Sequence, residues 1–266
     1  MNFNEKRRQP FLSEAAYKQT NDFFEQTAGP EYLDELAASG ADANDRRRIS
    51  AALADDTFEN FLLKYSAGEL PEFLSGDLES VVASFEQSAW YDREFESEPR
   101  FPPLRFSLLA HYERTMQLIS LCYLLHRRDL LPRIAALFDG AFAAKDTLYE
   151  DLLAYELNDR FDVDVWYHDR PYRDLINCFY REAPQQSVAD IETYLKNWYP
   201  AMQEVPWHDS HLRMSKGVGG YFGYWAVEAA AAVYLLDIDD RSFREHLVYP
   251  KDLVDFARAM DGSVPH

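Results

Sequence analysis

Apolar side chains recur at intervals of three and four residues along most of the chain, which is the spacing of one face of an α-helix. The pattern predicts helices over 15–36, 46–65, 78–90, 104–126, 130–142, 147–158, 172–181, 187–198, 223–236 and 251–260. The nearest approach to a strand-like alternation is the short segment 162–166. The sequence therefore predicts an all-α protein.

Local signals divide this helical pattern into elements and modules. Gly29-Pro30 splits the first helical stretch, and Gly68 suits the end of the second. Ser187 and Asp190 resemble a capping box at a helix start. Three prolines in 97–103 indicate a linker. We therefore predict a multi-helix bundle or array of two packed helical modules, residues 1–98 and 104–266.

Two long stretches do not follow the helical pattern. Residues 159–171 are irregular, acidic and aromatic, which predicts a functional loop or an inserted elbow. Residues 199–220 are rich in Trp, His and Gly. The glycine-rich run 216–220 lacks a following Lys-Ser or Lys-Thr pair and a preceding strand, so it predicts a flexible turn and not a phosphate-binding loop.

Composition and charge exclude several classes of protein. The 266 residues are 47% hydrophobic and 15% aromatic, which is too apolar for a disordered chain. A formal charge of −19 has the wrong sign for binding nucleic acid or an anionic membrane. The longest apolar run, 221–236, is interrupted by Glu228 and is too short to span a bilayer.

The ends and the cysteines indicate a compartment. The basic residues near the N-terminus are not followed by an apolar stretch, so we expect no secretory signal. Cys122 and Cys178 both lie among apolar neighbours and are expected to be buried free thiols. The sequence therefore predicts a cytoplasmic protein.

Acidic residues concentrate in 42–59, 92–98 and 146–174. In the last stretch they alternate with aromatic residues, and we name residues 156–169 the acidic elbow. A solvated face that keeps the protein soluble is one interpretation, and a docking surface for a basic partner is the other. The candidate partner-binding residues are Glu156, Asp159, Asp162, Asp164, Trp166 and Asp169.

Enzymatic interpretations have little support in the sequence. Metalloprotease, paired-cysteine, serine-hydrolase and Walker motifs are absent. The His-Asp pairs at 168–169 and 208–209, with His111, His126 and His211, leave a metal-dependent phosphohydrolase of the HD type as an alternative. Glu228, within an apolar helix, is expected to be a structural group paired with a cation or a Tyr hydroxyl. We predict no catalytic residue, cofactor or metal site.

The C-terminal third resembles a known family. The resemblance rests on YLKNWY at 194–199, WHDSH at 207–211, YFGYWAVEA at 221–229, LDIDDRSF at 236–243 and YPKDL at 249–253, with looser agreement at 48–49 and 64–69. This succession is similar to the PoNi family, immunity proteins against PoNe-type DNase toxins of type VI secretion and related competition systems.

The resemblance implies a role and not a set of catalytic residues. It implies an all-α cytoplasmic protein that binds one cognate DNase toxin and blocks its basic DNA-binding surface, without itself binding nucleic acid or a membrane. A helical scaffold with no toxin partner remains a further alternative.

Overall fold

The computed structural model describes residues 2–38, 40–214 and 220–262, and these residues form helices joined by turns, without a β-strand. The all-α prediction is therefore confirmed for the described residues. The helices are α1 Phe3–Lys6, α2 Glu14–Phe23, α3 Gly29–Ala37, α4 Ala43–Ala67, α5 Pro71–Glu96, α6 Leu109–Leu124, α7 Leu131–Phe142, α8 Thr147–Ala154, α9 Arg173–Phe179, α10 Pro184–Ala201, α11 Val227–Leu235 and α12 Lys251–Asp261. A π-helical turn, Phe24–Ala28, joins α2 to α3.

The chain forms two compact units. Unit 1 contains Met1–Pro103 and Asp209–Gly223, and unit 2 contains Leu104–His208 and Tyr224–His266. The division into two packed helical modules, 1–98 and 104–266, stays a prediction.

Unit 1 is built on a hairpin of the two long helices α4 and α5. Gly68 ends α4 with a φ of 101°, in the left-handed region that glycine enters without strain. A Cβ at this position would collide with the backbone carbonyl of Lys6. Pro71 then starts α5, where its missing N–H costs no helical hydrogen bond. The expected role of Gly68 at the helix end is confirmed.

Unit 2 is organised around α6, which is buried on nearly all sides. Helix α11 packs against it and is buried from Val227 to Tyr234. The run of alanines at 229–232 gives α11 a narrow apolar surface, which suits close packing in a core. Cys122 and Cys178 are buried free thiols, as predicted.

Several helix boundaries differ from the prediction: α5 ends at Glu96 and not at 90, α6 begins at Leu109 and not at 104, and α11 begins at Val227 and not at 223. Helix α5 begins at Pro71 and not at 78, and α8 ends at Ala154 and not at 158. The capping box at Ser187 is wrong, because α10 already begins at Pro184. The Ser187 hydroxyl instead donates a hydrogen bond of 3.0 Å to the carbonyl of Cys178, which ties α10 to α9.

Two further sequence expectations concern loops and membranes. Residues 216–219 of the predicted glycine-rich turn lie outside the described residues. Across 2–38, 40–214 and 220–262, none of the helices has both the length and the apolar character needed to cross a membrane.

Candidate functional site

The acidic elbow connects α8 to α9 in unit 2 and has no regular secondary structure. All six predicted partner-binding residues lie on it, and five of them are exposed while Trp166 is half-buried. The predicted irregular conformation of this acidic loop is thus confirmed. Its use as a binding surface stays a prediction.

Arg160 fixes the elbow to the helices beneath it. Its guanidinium donates two hydrogen bonds of 2.9 Å to Asp139 and one of 2.7 Å to Glu150. The side chains of Arg160 and Glu150 are only 9% and 1% exposed, so these charges are largely shielded from water. The second Glu150 oxygen accepts a hydrogen bond from the amide of Ala144. A bidentate pair of this kind holds its loop in one geometry.

The start of α8 provides a second attachment. The Thr147 hydroxyl lies 2.8 Å from the carbonyl of Val163 and 2.9 Å from that of Val165. Asp146 caps α8 and also accepts a hydrogen bond from the amide of Tyr167 at 3.0 Å. Burial raises the pKa of the Asp146 carboxyl to about 6, although hydrogen bonds donated to the carboxylate oppose the shift. The middle of the elbow is thereby held against the helix start.

Trp166 and Asp169 form a small cluster with the first residue of α9. The Arg173 guanidinium lies over the Trp166 ring at 5.5 Å and donates a hydrogen bond of 2.6 Å to Asp169. The indole N–H also points to Asp169, at 3.4 Å. Hydrogen bonding from Arg173 lowers the pKa of the Asp169 carboxyl. Both predicted residues therefore already have intramolecular partners.

The three central aspartates differ from the rest of the elbow. Glu156 faces Arg128 at 3.4 Å, whereas Asp159, Asp162 and Asp164 make no ion pair with any residue in the described part of the chain. Their carboxylates are exposed to solvent. Asp159 has a φ of 61°, a left-handed conformation that Asp and Asn tolerate better than other side chains. The elbow thus displays three uncompensated negative charges on an anchored backbone.

Exposed apolar groups accompany these charges. Phe161 and Val165 are each 51% exposed and Tyr180 is 57% exposed. The Tyr180 hydroxyl donates a hydrogen bond of 2.8 Å to Asp151. Burial raises the pKa of the Asp151 carboxyl to about 6, and the negative charge of Asp162 adds to the shift. A cavity of about 340 Å³ lies beside Tyr180 and is lined by Asp162, Asp164 and Trp166.

Sequence reasoning missed Arg160, Asp151 and Tyr180 as parts of this site. Their partners are distant in sequence, since Arg160 contacts Asp139 across 21 positions and Tyr180 contacts Asp151 across 29. The lone basic residue within an acidic stretch was the only available signal. The positive charge of Arg160 is compensated by Asp139 and Glu150, against which the loop packs.

Two glutamates occupy the interior of unit 2. Glu228 accepts a short hydrogen bond of 2.5 Å from the Tyr194 hydroxyl and one of 3.0 Å from the Trp198 indole. The expectation that Glu228 is a structural group bonded to a Tyr is therefore confirmed. Glu113 accepts hydrogen bonds from the Trp207 indole and the Gln117 amide. Burial raises the pKa of Glu228 to about 7 and that of Glu113 to about 8.

The His-Asp pairs do not form a recognisable metal site. His168 contacts the carbonyl of Phe106 at 2.7 Å, and the His208 ring stacks on Tyr199 at 4.4 Å. His126 lies 2.9 Å from the carbonyl of Ala257. Among the residues that the structure describes, no group of three or more His, Cys, Asp or Glu side chains is arranged to hold a metal ion. The contacts of these histidines are those of packing groups.

Comparison with known proteins gives matches among solved structures and a match to a family model. The crystal structure of protein PA2201 from Pseudomonas aeruginosa is similar to this chain with a TM-score of 0.69 and 22% identity, over 96% of this chain and 92% of that one. At this identity the likeness concerns the fold alone. No curated protein sequence matches the chain.

The family match covers the acidic elbow and the helices around it. Residues 144–253 match the model described as PoNe immunity proteins (PoNi), C-terminal. The match includes the anchoring residues Asp146, Thr147 and Arg160 and the buried Glu228. Residues 144–253 are therefore similar to the C-terminal region of PoNe immunity proteins, and over these residues the match confirms the resemblance drawn from the sequence.

Proposed function

We propose that this chain is an immunity protein that binds a cognate DNase toxin of a bacterial competition system, such as type VI secretion, and covers the toxin's DNA-binding surface. The interface is formed by the acidic elbow, with Glu156, Asp159, Asp162, Asp164, Trp166 and Asp169 as contact residues. The family match of residues 144–253 supports the immunity role. The role requires tight binding and no catalytic step.

The observation that carries the proposal is the set of unpaired carboxylates at Asp159, Asp162 and Asp164 on a loop fixed by Arg160. A DNase must present cations to the phosphates of its substrate. Carboxylates held in a fixed geometry match those cations without a large loss of conformational freedom on binding. The anchored elbow therefore favours a basic protein surface as its partner.

The exposed apolar groups suit the same use. Binding energy at protein interfaces is concentrated in a few aromatic anchors surrounded by polar groups. Phe161 and Tyr180 are large, exposed and adjacent to the unpaired aspartates. We expect them to supply affinity, while the carboxylates supply orientation and speed of association.

The net charge of the chain favours the rapid association that an immunity protein needs. A toxin must be captured before it cuts DNA, and opposite net charges accelerate encounter by about 10- to 1,000-fold at low ionic strength. A chain of net charge −19 meets this requirement when its partner is basic. In this proposal the chain acts in the cytoplasm, where the toxin would meet DNA.

The test begins with inspection of the reading frames beside this gene, and a nuclease encoded there is then titrated with the chain. Purified nuclease degrades plasmid DNA in the presence of increasing amounts of the chain, and remaining activity is measured by gel densitometry. We expect activity to fall linearly and to vanish at an equimolar ratio. Unchanged nuclease activity would refute the proposal. Stoichiometric bound metal in the purified chain, together with a phosphohydrolase activity that a chelator abolishes, would instead favour the metal-dependent phosphohydrolase.

A further inference from the structure

Unit 1 contains an apolar groove between α2 and α4 that the proposed elbow interface does not use. Its volume is about 320 Å³. Its inner wall consists of the buried side chains of Leu63, Tyr221 and Phe222. Phe23, at the end of α2, forms part of the rim and is 59% exposed. Contiguous apolar surface with polar residues at its rim is typical of grooves that bind a ligand or a protein.

Two of the polar side chains at the groove are acidic, and one of them, Asp56, also accepts a hydrogen bond of 3.1 Å from the Tyr32 hydroxyl. Asp56 and Glu59 line the groove from α4, and the described residues that line it include no Lys or Arg. Asn60 also lines the groove, and only 7% of its surface is exposed. Its side-chain oxygen, Oδ1, has no hydrogen-bond partner in the described part of the chain. A buried amide oxygen without a donor is unfavourable, so a ligand with an N–H group would be stabilised there.

The groove also lies beside a change in helix type. Helix α2 changes at Phe24 into the π-helical turn Phe24–Ala28 before α3 begins at Gly29. Phe23 and Phe24, on either side of this change, both line the groove. π-helical turns are rare in proteins, and they are found frequently at functional sites.

Building on the proposed function, we propose that this groove is a second docking point for the nuclease toxin. It receives one apolar side chain, aromatic or large and aliphatic, that is flanked on the toxin by a lysine or arginine. The apolar side chain packs against Phe23 and Leu63. The flanking cation lies near the carboxylates of Asp56 and Glu59. A neutral or acidic apolar segment lacks the second contact and binds less well.

The test uses the co-encoded nuclease carrying an inactivating active-site substitution, with its dissociation constant measured by isothermal titration calorimetry. Phe23→Lys removes the apolar rim and places a cation beside the acidic groups. Thr20→Trp fills the groove from the half-exposed Thr20 on α2. Phe73→Lys, on α5, is the matched control because Phe73 is 64% exposed and does not line the groove. Circular dichroism verifies that each variant is folded.

We expect Phe23→Lys and Thr20→Trp to weaken binding about tenfold or more, as removal of an aromatic anchor does. Phe73→Lys is expected to stay within about twofold of the parent chain. Glu59→Gln should weaken binding less and should reduce its dependence on salt. These results together would support the groove as a docking point.

Three results would overturn the inference. Normal binding by both groove variants, with binding lost in elbow variants, would leave the proposed function intact and remove the groove from it. Self-association of the chain that Phe23→Lys abolishes, without effect on the nuclease, would assign the groove to a second copy. Absence of nuclease binding by the parent chain would refute the proposed function and this inference together.

Discussion

Arg160 is one of two attachments that hold the acidic elbow, and Arg160→Met tests its contribution directly. Methionine keeps the apolar stem but removes the guanidinium that contacts Asp139 and Glu150. Glu150, whose side chain is 1% exposed, then remains as a buried charge without its cation. Breaking a buried pair in this way costs about 3–5 kcal/mol. Because Asp139 is 37% exposed and partly hydrated, we expect the lower end, about 3 kcal/mol.

Urea unfolding followed by tryptophan fluorescence measures this loss. Trp166, Trp198, Trp207 and Trp225 lie in unit 2, so the signal reports mainly on the unit that contains Arg160. Hydrogen exchange then shows where the protein loosens. We expect faster exchange of the amides in 156–169 and little change in α11, because the elbow loses its attachment while the core keeps its packing.

The matched control is Arg241→Met. Arg241 also forms a bidentate pair, with Asp239, but its side chain is 86% exposed. We expect no measurable change in its unfolding midpoint, since exposed pairs contribute little. Equal effects of the two substitutions, or normal exchange across 156–169 in Arg160→Met, would refute the claim that burial of this pair fixes the elbow.

Three further outcomes follow from other contacts. Burial raises the pKa of Glu228 from 4.5 to about 7. Between these two pH values the folded protein holds a proton that the unfolded chain has lost, so the free energy of unfolding falls as pH rises. Urea midpoints at about pH 5 and about pH 8 should therefore differ less in Glu228→Gln than in the parent chain. Thr147→Val should cost about 1–3 kcal/mol in urea unfolding, because it removes the hydroxyl that contacts the carbonyls of Val163 and Val165. Gly68→Ala should lower the free energy of unfolding by about 1 kcal/mol or more, and the thermal midpoint should fall accordingly. The φ of 101° at this position and the nearby backbone carbonyl of Lys6 both exclude a Cβ.

Sequence periodicity was sufficient to locate the longer helices, though not all of their ends, because each apolar face repeats over many residues. Helix α12 was predicted within one residue of its observed bounds, and the partner of Glu228 was predicted by type. The error at Ser187 has a physical reason. Pro184 supplies a pre-organised first turn three residues earlier, and the serine hydroxyl bonds to α9 instead. A local capping pattern does not contain this tertiary alternative.

The candidate site was predictable in part. Clustering of Asp162 and Asp164 with Trp166 was visible along the chain, because the loop that carries them is continuous. The attachment of that loop was not visible, since Arg160 reaches residues on α7 and α8 that no local pattern links to it. The groove in unit 1 was missed for the same reason, because Phe23 and Phe222 are brought to it from distant segments.

The central claim is that unpaired carboxylates of the elbow guide capture of a basic nuclease. The test variant combines Asp159→Asn, Asp162→Lys and Asp164→Lys, where asparagine keeps the left-handed backbone at 159 without strain. The control combines Glu182→Gln, Glu192→Lys and Glu204→Lys, exposed acids of unit 2 outside the elbow, and changes the net charge equally. Both variants should keep the parent's thermal midpoint.

Stopped-flow association with the inactivated co-encoded nuclease, at ionic strengths of about 0.02 M and about 0.3 M, is the decisive measurement. We expect the elbow variant to associate about tenfold or more slowly at low ionic strength and to lose most of its salt dependence, while the control stays close to the parent chain. Equal association rates for the elbow variant and the control would contradict the claim.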